Sequence, residues 1–424
     1  MEKRQKKLLV LAGACVHSKV VEAAKDMGIY TVVADYLPDS PAKLIADEAL
    51  NVDIFDVEKL MVYCSKENID GVINFCIDPA QKPAFEIASR LGLPTFGDER
   101  QVRILTDKES FKAFCRENNV DVIPEYTIEE IENGMVEYPV LVKPTDSRGS
   151  RGITVCRNEA EVKAAIEVAI PESSTGKYII EKYMENNQDL TISYIVKDGE
   201  PVLFSLGDRN SGRAEDNLNR QLICTIQPSR YIDMYMKHVD KRVVNMIKSL
   251  GIKNGPVFMQ GFVDGNTVRM YDPGIRYPGN EYERIFAEAM GINPMKSLIS
   301  YVVGGEILDY DGGYVGSYML NGKRIIQYMI NVGPGVIGKF DGLDIISKHP
   351  NVLDIQQRHF EGTKIENTGD IRHRAGEISI LVDDDTSKMY EAIKFIQDNL
   401  VIENVDGENM IISPFEPERV YKMY

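Results

Sequence analysis

The sequence predicts a mixed α/β and α+β chain in three parts: an α/β leading domain, an α+β core and a β-rich closing lobe. Three observations carry this. Residues 7–97 alternate short apolar runs with helically spaced apolar residues, the pattern of parallel strands joined by crossover helices. Residues 120–300 mix hairpin signals with helices. Beyond residue 310, turns at Asn321-Gly322, Gly333-Pro-Gly335 and Asp341-Gly342 separate strand-like runs, with one helical pattern over Ser387–Asp398. The divisions fall at 1–97, 98–305 and 306–424.

The chain has 424 residues, 43% hydrophobic and 27% charged, too many for one ordinary core. A net charge of −16 argues against non-specific binding to nucleic acid or to an anionic membrane, since both need a basic excess. Six scattered cysteines, with no C-x-x-C pair, read as reduced core residues and suit a cytoplasmic protein. No apolar run approaches the roughly 18 residues of a transmembrane helix. Lys6-Lys7 before Leu8-Leu-Val-Leu-Ala-Gly-Ala-Cys15 imitates a secretory or lipoprotein signal, but the run is short and reads as the first strand.

In the leading domain, strands are expected at Leu8–Ala12, Thr31–Ala34 and Gly71–Phe75. Helices are expected through Val20–Met27, Glu58–Lys66 and Pro83–Leu91, the first and last ended by Gly28 and Gly92. Gly13 and Asp35 invite a dinucleotide-binding reading and an oxidoreductase. Gly13-Ala-Cys-Val-His-Ser18, however, lacks the G-x-G-x-x-G glycines that let a pyrophosphate approach the backbone.

The core carries the chemistry. A helix over Asp107–Asn118 precedes strands at Val136–Val142 and Ile153–Val155, a helix at Glu159–Ala169, and strands at Tyr178–Glu181 and Leu190–Val196. A long helix at Asp233–Leu250 and a hairpin, Phe258–Phe262 with Val268–Tyr271, close it. Lys143 sits in Val-Leu-Val-Lys-Pro, where a buried lysine is costly without an anionic partner. It is followed by Ser147-Arg-Gly-Ser-Arg-Gly152, whose glycines permit backbone approach to an anion. Glu181-Lys-Tyr-Met184 is an apolar hinge with an acid, and Gln260 and Asp272 offer hard oxygens of the kind magnesium takes. These are the parts that holding ATP and a metal requires.

In order and spacing these parts resemble the ATP-grasp superfamily. They are most similar to a single synthetase unit of the carbamoyl-phosphate synthetase large subunit and to biotin carboxylase, over nearly the whole chain. The resemblance implies a Rossmann-like leading domain, an ATP-grasp core of two α+β subdomains and a β-rich lobe. It implies that Lys108 and Lys143 bind phosphates, that Arg148, Gly149 and Ser150 belong to the loop covering them, and that Glu181, Tyr183 and Met184 hold adenine. Asp189 then meets the ribose, Gln260 and Asp272 bind Mg2+ (or Mn2+), and Arg276 holds the acceptor carboxylate. Arg209, Asn219, Arg220 and Tyr277 line the same cleft. Where the family has E-x-N-x-R, this chain has Asp272-Pro-Gly274-Ile-Arg276, so position 274 supplies no side-chain ligand.

The implied activity is an ADP-forming carboxylate–amine ligase. ATP phosphorylates a carboxylate, and an amine or similar nucleophile displaces phosphate. The implied partners are small-molecule carboxylate and amine substrates, with a homodimer left open and the acceptor side assigned to strand-end loops of the leading domain, Asn74 to Pro79 among them. Carbamoyl phosphate is not the expected product, because that chemistry uses two such units and an ammonia source. Biotin carboxylation would need a partner domain. The competing reading, prompted by Gly274, is an ATP-binding protein with impaired catalysis.

Overall fold

The computed structural model describes residues 4–145, 152–173, 175–185, 187–212, 221–277, 282–308, 313–369 and 371–424. The first sheet contains β1 (Lys7–Leu11), β2 (Tyr30–Asp35), β3 (Glu48–Asn51) and β4 (Gly71–Asn74), all parallel, in the order β3-β2-β1-β4. Leu8–Leu11 is buried on both faces, which is why it reads as a continuous apolar run. The edge strand β3 escaped the sequence reading. It is only four residues long, with polar Glu48 and Asn51 at its ends.

Gly13 and Asp35 do meet, but they serve the turn. The Asp35 carboxylate accepts from the Gly13 and Leu37 amides at 2.7 and 2.8 Å. A Cβ on Gly13 would lie 2.1 Å from Ser40 Oγ. The glycine is therefore needed for close packing of the loop, with Asp35 turned inward upon it.

The second sheet contains β5 (Glu125–Tyr126), β6 (Val140–Pro144), β7 (Thr154–Cys156) and β8 (Tyr178–Lys182), in the order β5-β8-β6-β7. Strand β6 begins four residues later than the expected Val136, directly after Pro139, which has no N–H to give a ladder.

The remaining strands are β9 (Asp189–Lys197), β10 (Glu200–Ser211), β11 (Leu222–Gln227), β12 (Gly255–Asp264), β13 (Thr267–Gly274), β14 (Lys323–Asn331), β15 (Gly335–Asp341), β16 (Val352–Gln357), β17 (Lys364–Ile365), β18 (Arg374–Asp383) and β19 (Val401–Asn404). Eight of them form one sheet in the order β13-β12-β9-β10-β11-β14-β18-β16, while β17-β15-β19 form a small separate one. The 305/306 division does not separate two sheets, because β11 pairs with β14 from Cys224↔Tyr328 to Gln227↔Ile325. The closing lobe thus extends the sheet of the core.

Asp198-Gly199, both at positive φ, form the two-residue turn between β9 and β10. The single long helix expected over Asp233–Leu250 is two, Ile232–His238 and Asp240–Leu250. The break falls at buried Val239, beside Asp240, whose carboxylate accepts from Tyr194 Oη at 2.7 Å. The leading domain is fastened by an apolar cluster in which Val20, Val33 and Ile73 join Phe204, Phe286 and Leu298. A Cβ on Gly71 would strike Val302 O at 2.6 Å, so the backbone of β4 lies close against the helix Pro294–Gly304.

His17 is fully buried at the start of the helix Cys15–Asp26. Burial pulls its pKa from 6.5 to about 4, against opposing contributions from the Ala14 and Phe75 backbone and Asp35. The folded imidazole binds a proton more weakly than the unfolded one, so stability is lost as pH falls from about 6.5 toward about 4. Between pH 7 and pH 5 this group should remove about 2 kcal/mol. Urea unfolding of wild type and His17→Phe at both pH values should show that part of the acid sensitivity vanish in the variant.

Candidate functional site

The register of the large sheet sets the site. Gln260 on β12 lies directly opposite Asp272 on β13 and Thr191 on β9, so the three share one face. Asp189, two residues before Thr191, shares that face and pairs across to Arg209 on β10. Between Gln260↔Asp272 and Gly261↔Met270 the strand β13 carries one extra residue, Tyr271. Such a bulge re-aims a side chain. Here the Tyr271 hydroxyl reaches both Asp189 oxygens, at 3.0 and 3.1 Å, and Arg209 Nε reaches Asp189 Oδ2 at 2.8 Å. Burial raises the Asp189 pKa even against Arg209 and Tyr271.

The opposite wall comes from β6, β8 and the helix Lys108–Glu117. Asp107 caps that helix by accepting from the Ser110 amide at 2.7 Å, and this fixes Lys108 at its start. Lys108 Nζ lies 3.4 Å from Asp272 Oδ1. One turn further, Lys112 is completely buried and forms ion pairs with Glu181 and with Glu125, the latter at 2.9 Å. Lys143, 6% exposed, meets the other Glu181 oxygen at 2.7 Å and lies over the Tyr271 ring, 5.9 Å from its centre.

Glu181 is therefore clamped between two lysines on different elements. Burial lowers the Lys143 pKa well below the usual lysine range, and Lys112 and Lys108 push the same way. Burial also lowers that of Lys112. For Glu125 burial acts upward, but Lys112 and Arg116 outweigh it and hold the carboxyl below its ordinary range.

Arg276 follows β13, its guanidinium carbon 5.0 Å from the centre of the Phe258 ring. Gly274 has no left-handed backbone; it is an ordinary strand residue opposite Phe258. What it provides is room, since a Cβ there would lie 3.2 Å from both Arg276 Cγ and Phe258 Cδ1. The Tyr183 amide donates to Pro139 O at 3.1 Å and so belongs to the fold, while the Met184 side chain is buried nearby. A small cavity of about 40 Å³ is lined by Asn74, Gln81, Phe96 and Ile275 among others, bringing the end of β4 to the side chain that precedes Arg276. A larger cleft, about 530 Å³, lies elsewhere, between Arg230, Arg324, Asp384 and Tyr424.

Of the expected site residues, Lys108, Lys143, Glu181, Asp189, Gln260 and Asp272 converge, with Arg276 at their edge. Arg148, Gly149 and Ser150, the rest of Ser147–Arg151, and Asn219 and Arg220 lie outside the described residues. Sequence reasoning missed Lys112 and Tyr271. Lys112 had a signal: Lys108, Lys112 and Arg116 repeat every four residues, and Lys112 stands among Phe111, Phe114 and Cys115 of the apolar face. Tyr271 had none, because its direction depends on the bulge. Truncating Lys112 to Met leaves two acids short of a partner and should cost roughly 3–5 kcal/mol in urea unfolding. A loss under about 1 kcal/mol would contradict the structural weight given to this lysine.

Residues 107–265 match a family model described as carbamoyl-phosphate synthase L chain, ATP binding domain. The chain is 22% identical over 274 residues to the carbamoyl phosphate synthase large chain of Campylobacter jejuni, covering 59% of this chain and 24% of that one. It is 23% identical over 197 residues to the formate-dependent phosphoribosylglycinamide formyltransferase of Bacillus subtilis, covering 45% and 51%. The chain thus spans about a quarter to a half of these relatives' lengths. Among solved structures, an L-amino acid ligase from Bacillus licheniformis superposes with a TM-score of 0.76 at 18% identity, over 95% of this chain and 99% of that one. The biotin carboxylase domain of 2-oxoglutarate carboxylase from Hydrogenobacter thermophilus, in complex with MgADP and bicarbonate, gives 0.73 at 18% identity, over 95% and 91%.

Proposed function

From an ATP-grasp fold with a carbamoyl-phosphate-synthase-type ATP-binding domain at its centre, we propose an ADP-forming ligase that activates a carboxylate for attack by an amine. The observation that carries this reading is the facing of two groups across one cleft. Lys143 and Lys108 stand on one wall, and the oxygen donors Asp272 and Gln260 on the other, with Lys108 already 3.4 Å from Asp272.

This donor set fits magnesium. A carboxylate and an amide oxygen are hard ligands, and the ion ordinarily completes its shell with phosphate and water. Bound there, magnesium supplies charge neutralisation at the phosphates. Lys143 is held straight by Glu181 and directs its ammonium toward the transferring phosphoryl group, where a fixed cation needs no reorganisation. Lys108 shares that role from the helix start. Met184 and the Tyr183 carbonyl contact adenine, and Asp189, steadied by Arg209 and Tyr271, accepts from ribose hydroxyls. Arg276, backed by the Phe258 ring, presents a planar fork to the acid being phosphorylated. The amine then enters from the side of Asn74 and displaces phosphate from the acyl phosphate.

The direct test is ADP release screened across carboxylate and amine pools. Acid-dependent release supports the ligase. ATP binding with no release across a broad screen would replace it with the non-catalytic reading.

Lys143→Ala should lower ADP formation by about 10²–10³-fold while the protein stays folded, because it removes a fixed charge at the phosphoryl group. Near-normal turnover in the folded variant would remove Lys143 from the phosphate site. Gly274→Asn restores an oxygen at that position but drives its Cβ against Arg276 and Phe258. The expected outcome is a higher KM for the acid, with the magnesium dependence of ADP formation unimproved. A tighter magnesium requirement at unchanged acid KM would instead make position 274 a vacant ligand position.

A further inference from the structure

The eight-stranded sheet extends the site's face into the closing lobe. From Asp189 and Arg209 the register runs across Thr225 on β11, Gln327 on β14 and Ser379 on β18. On β18, Glu377 lies two residues from Ser379 and shares its side. A bulge at Ala375, between Ile330↔Gly376 and Asn331↔Arg374, brings Arg374 onto that same face.

Arg374 is 7% exposed, and its Nε has no hydrogen-bond partner among the described residues. Its other contacts are weak: Nη2 to Leu222 O at 3.4 Å, and Nη1 to Glu377 Oε2 at 3.8 Å. Glu377 is already engaged at 2.7 Å by Arg358. Two arginines thus share one glutamate. The next cation along the face, Arg209, has its own partner in Asp189. A buried guanidinium with an unused donor and an unmatched positive charge is costly unless an anion completes it. Burial, joined by Arg358 and Arg209, pulls its pKa down to about 10, and the opposing pull of Glu377 does not offset it. Thr191 and Thr225, on the same face, also carry buried hydroxyls without partners among the described residues.

We propose that Arg374 binds an oxyanion, a carboxylate or a phosphate, carried by a small-molecule substrate at the end away from the reacting centre. This deepens the ligase reading and rests on it. The strands of Arg209 and Arg374 are three spacings apart, roughly 14 Å on a flat sheet, and Arg374 is offset by four further positions along β14, from Gln327 to Asn331. The metal-compatible pair Gln260 and Asp272 lies further still across the sheet, on β12 and β13, so the substrate is an extended one whose anionic group is separated from the bond being made.

The test uses the full chain without nucleotide, with succinate and inorganic phosphate as separate probes in thermal unfolding. The expected result is a saturable rise in Tm with one or both anions. That rise should persist in Lys143→Ala, which separates it from the proposed nucleotide-phosphate site. It should be lost in Arg374→Gln and retained with about 10- to 100-fold weaker affinity in Arg374→Lys. A response to phosphate alone assigns a phosphate-bearing substrate, and a response to succinate alone a carboxylate. Without added anion, Arg374→Gln should melt no lower than wild type. No rise with either anion, an undiminished rise in Arg374→Gln, or a large loss of stability in that variant would each overturn the proposal, the last by making Arg374 a structural partner of Glu377. ADP release is measured apart from this, so an intact anion response without turnover would count against the ligase reading alone.

Discussion

Glu181 between Lys112 and Lys143 is the constraint on which the site depends. One carboxylate, 1% exposed, joins a helix and two strands that are distant in sequence. Three charges out of water are expensive, and their attraction compensates only when every partner is in place. The arrangement therefore fixes geometry more than it adds stability. It sets the height of the helix Lys108–Glu117 against β6 and β8, and thereby puts Lys108 beside Asp272. Both oxygens of Glu181 are engaged by these lysines.

Across the cleft, strand register does the corresponding work. Cross-strand pairing puts Gln260, Asp272 and Thr191 on one face without any long-range ion pair, and bulges at Tyr271 and Ala375 turn two further side chains toward it. Because the sheet continues through β14, β18 and β16, residues after 305 share a surface with the metal-compatible pair. This continuity explains how a lobe that reads as separate in sequence can contribute to the same chemistry.

The leading domain shows the opposite relation between motif and role. Gly13 and Asp35 occupy the positions a dinucleotide site would use, yet each satisfies the other. The backbone N–H that could face a phosphate is spent on a carboxylate at the end of the neighbouring strand.

By itself the sequence determined the order of the parts. Local patterns sufficed for three of the four strands of the parallel leading sheet, the helix that carries Lys112 and the apolar strand carrying Lys143, since each is written in residues near one another. The likeness to ATP-grasp proteins was legible for the same reason: Lys143, Glu181, Gln260, Asp272 and Arg276 keep their order along the chain. Tertiary structure alone decided what depends on pairing between distant segments. Lys112 became a partner of Glu181 only when helix and strand packed, and Tyr271 met Asp189 only through a bulge. The tight space around Gly274, beside Arg276 and Phe258, became visible only once β12 and β13 were aligned. Arg374 joined the cleft face because β14 pairs with β11. Spacing along a chain encodes local geometry, but which face a strand residue occupies is set by its register against strands far away, where a shift of one residue reverses the answer.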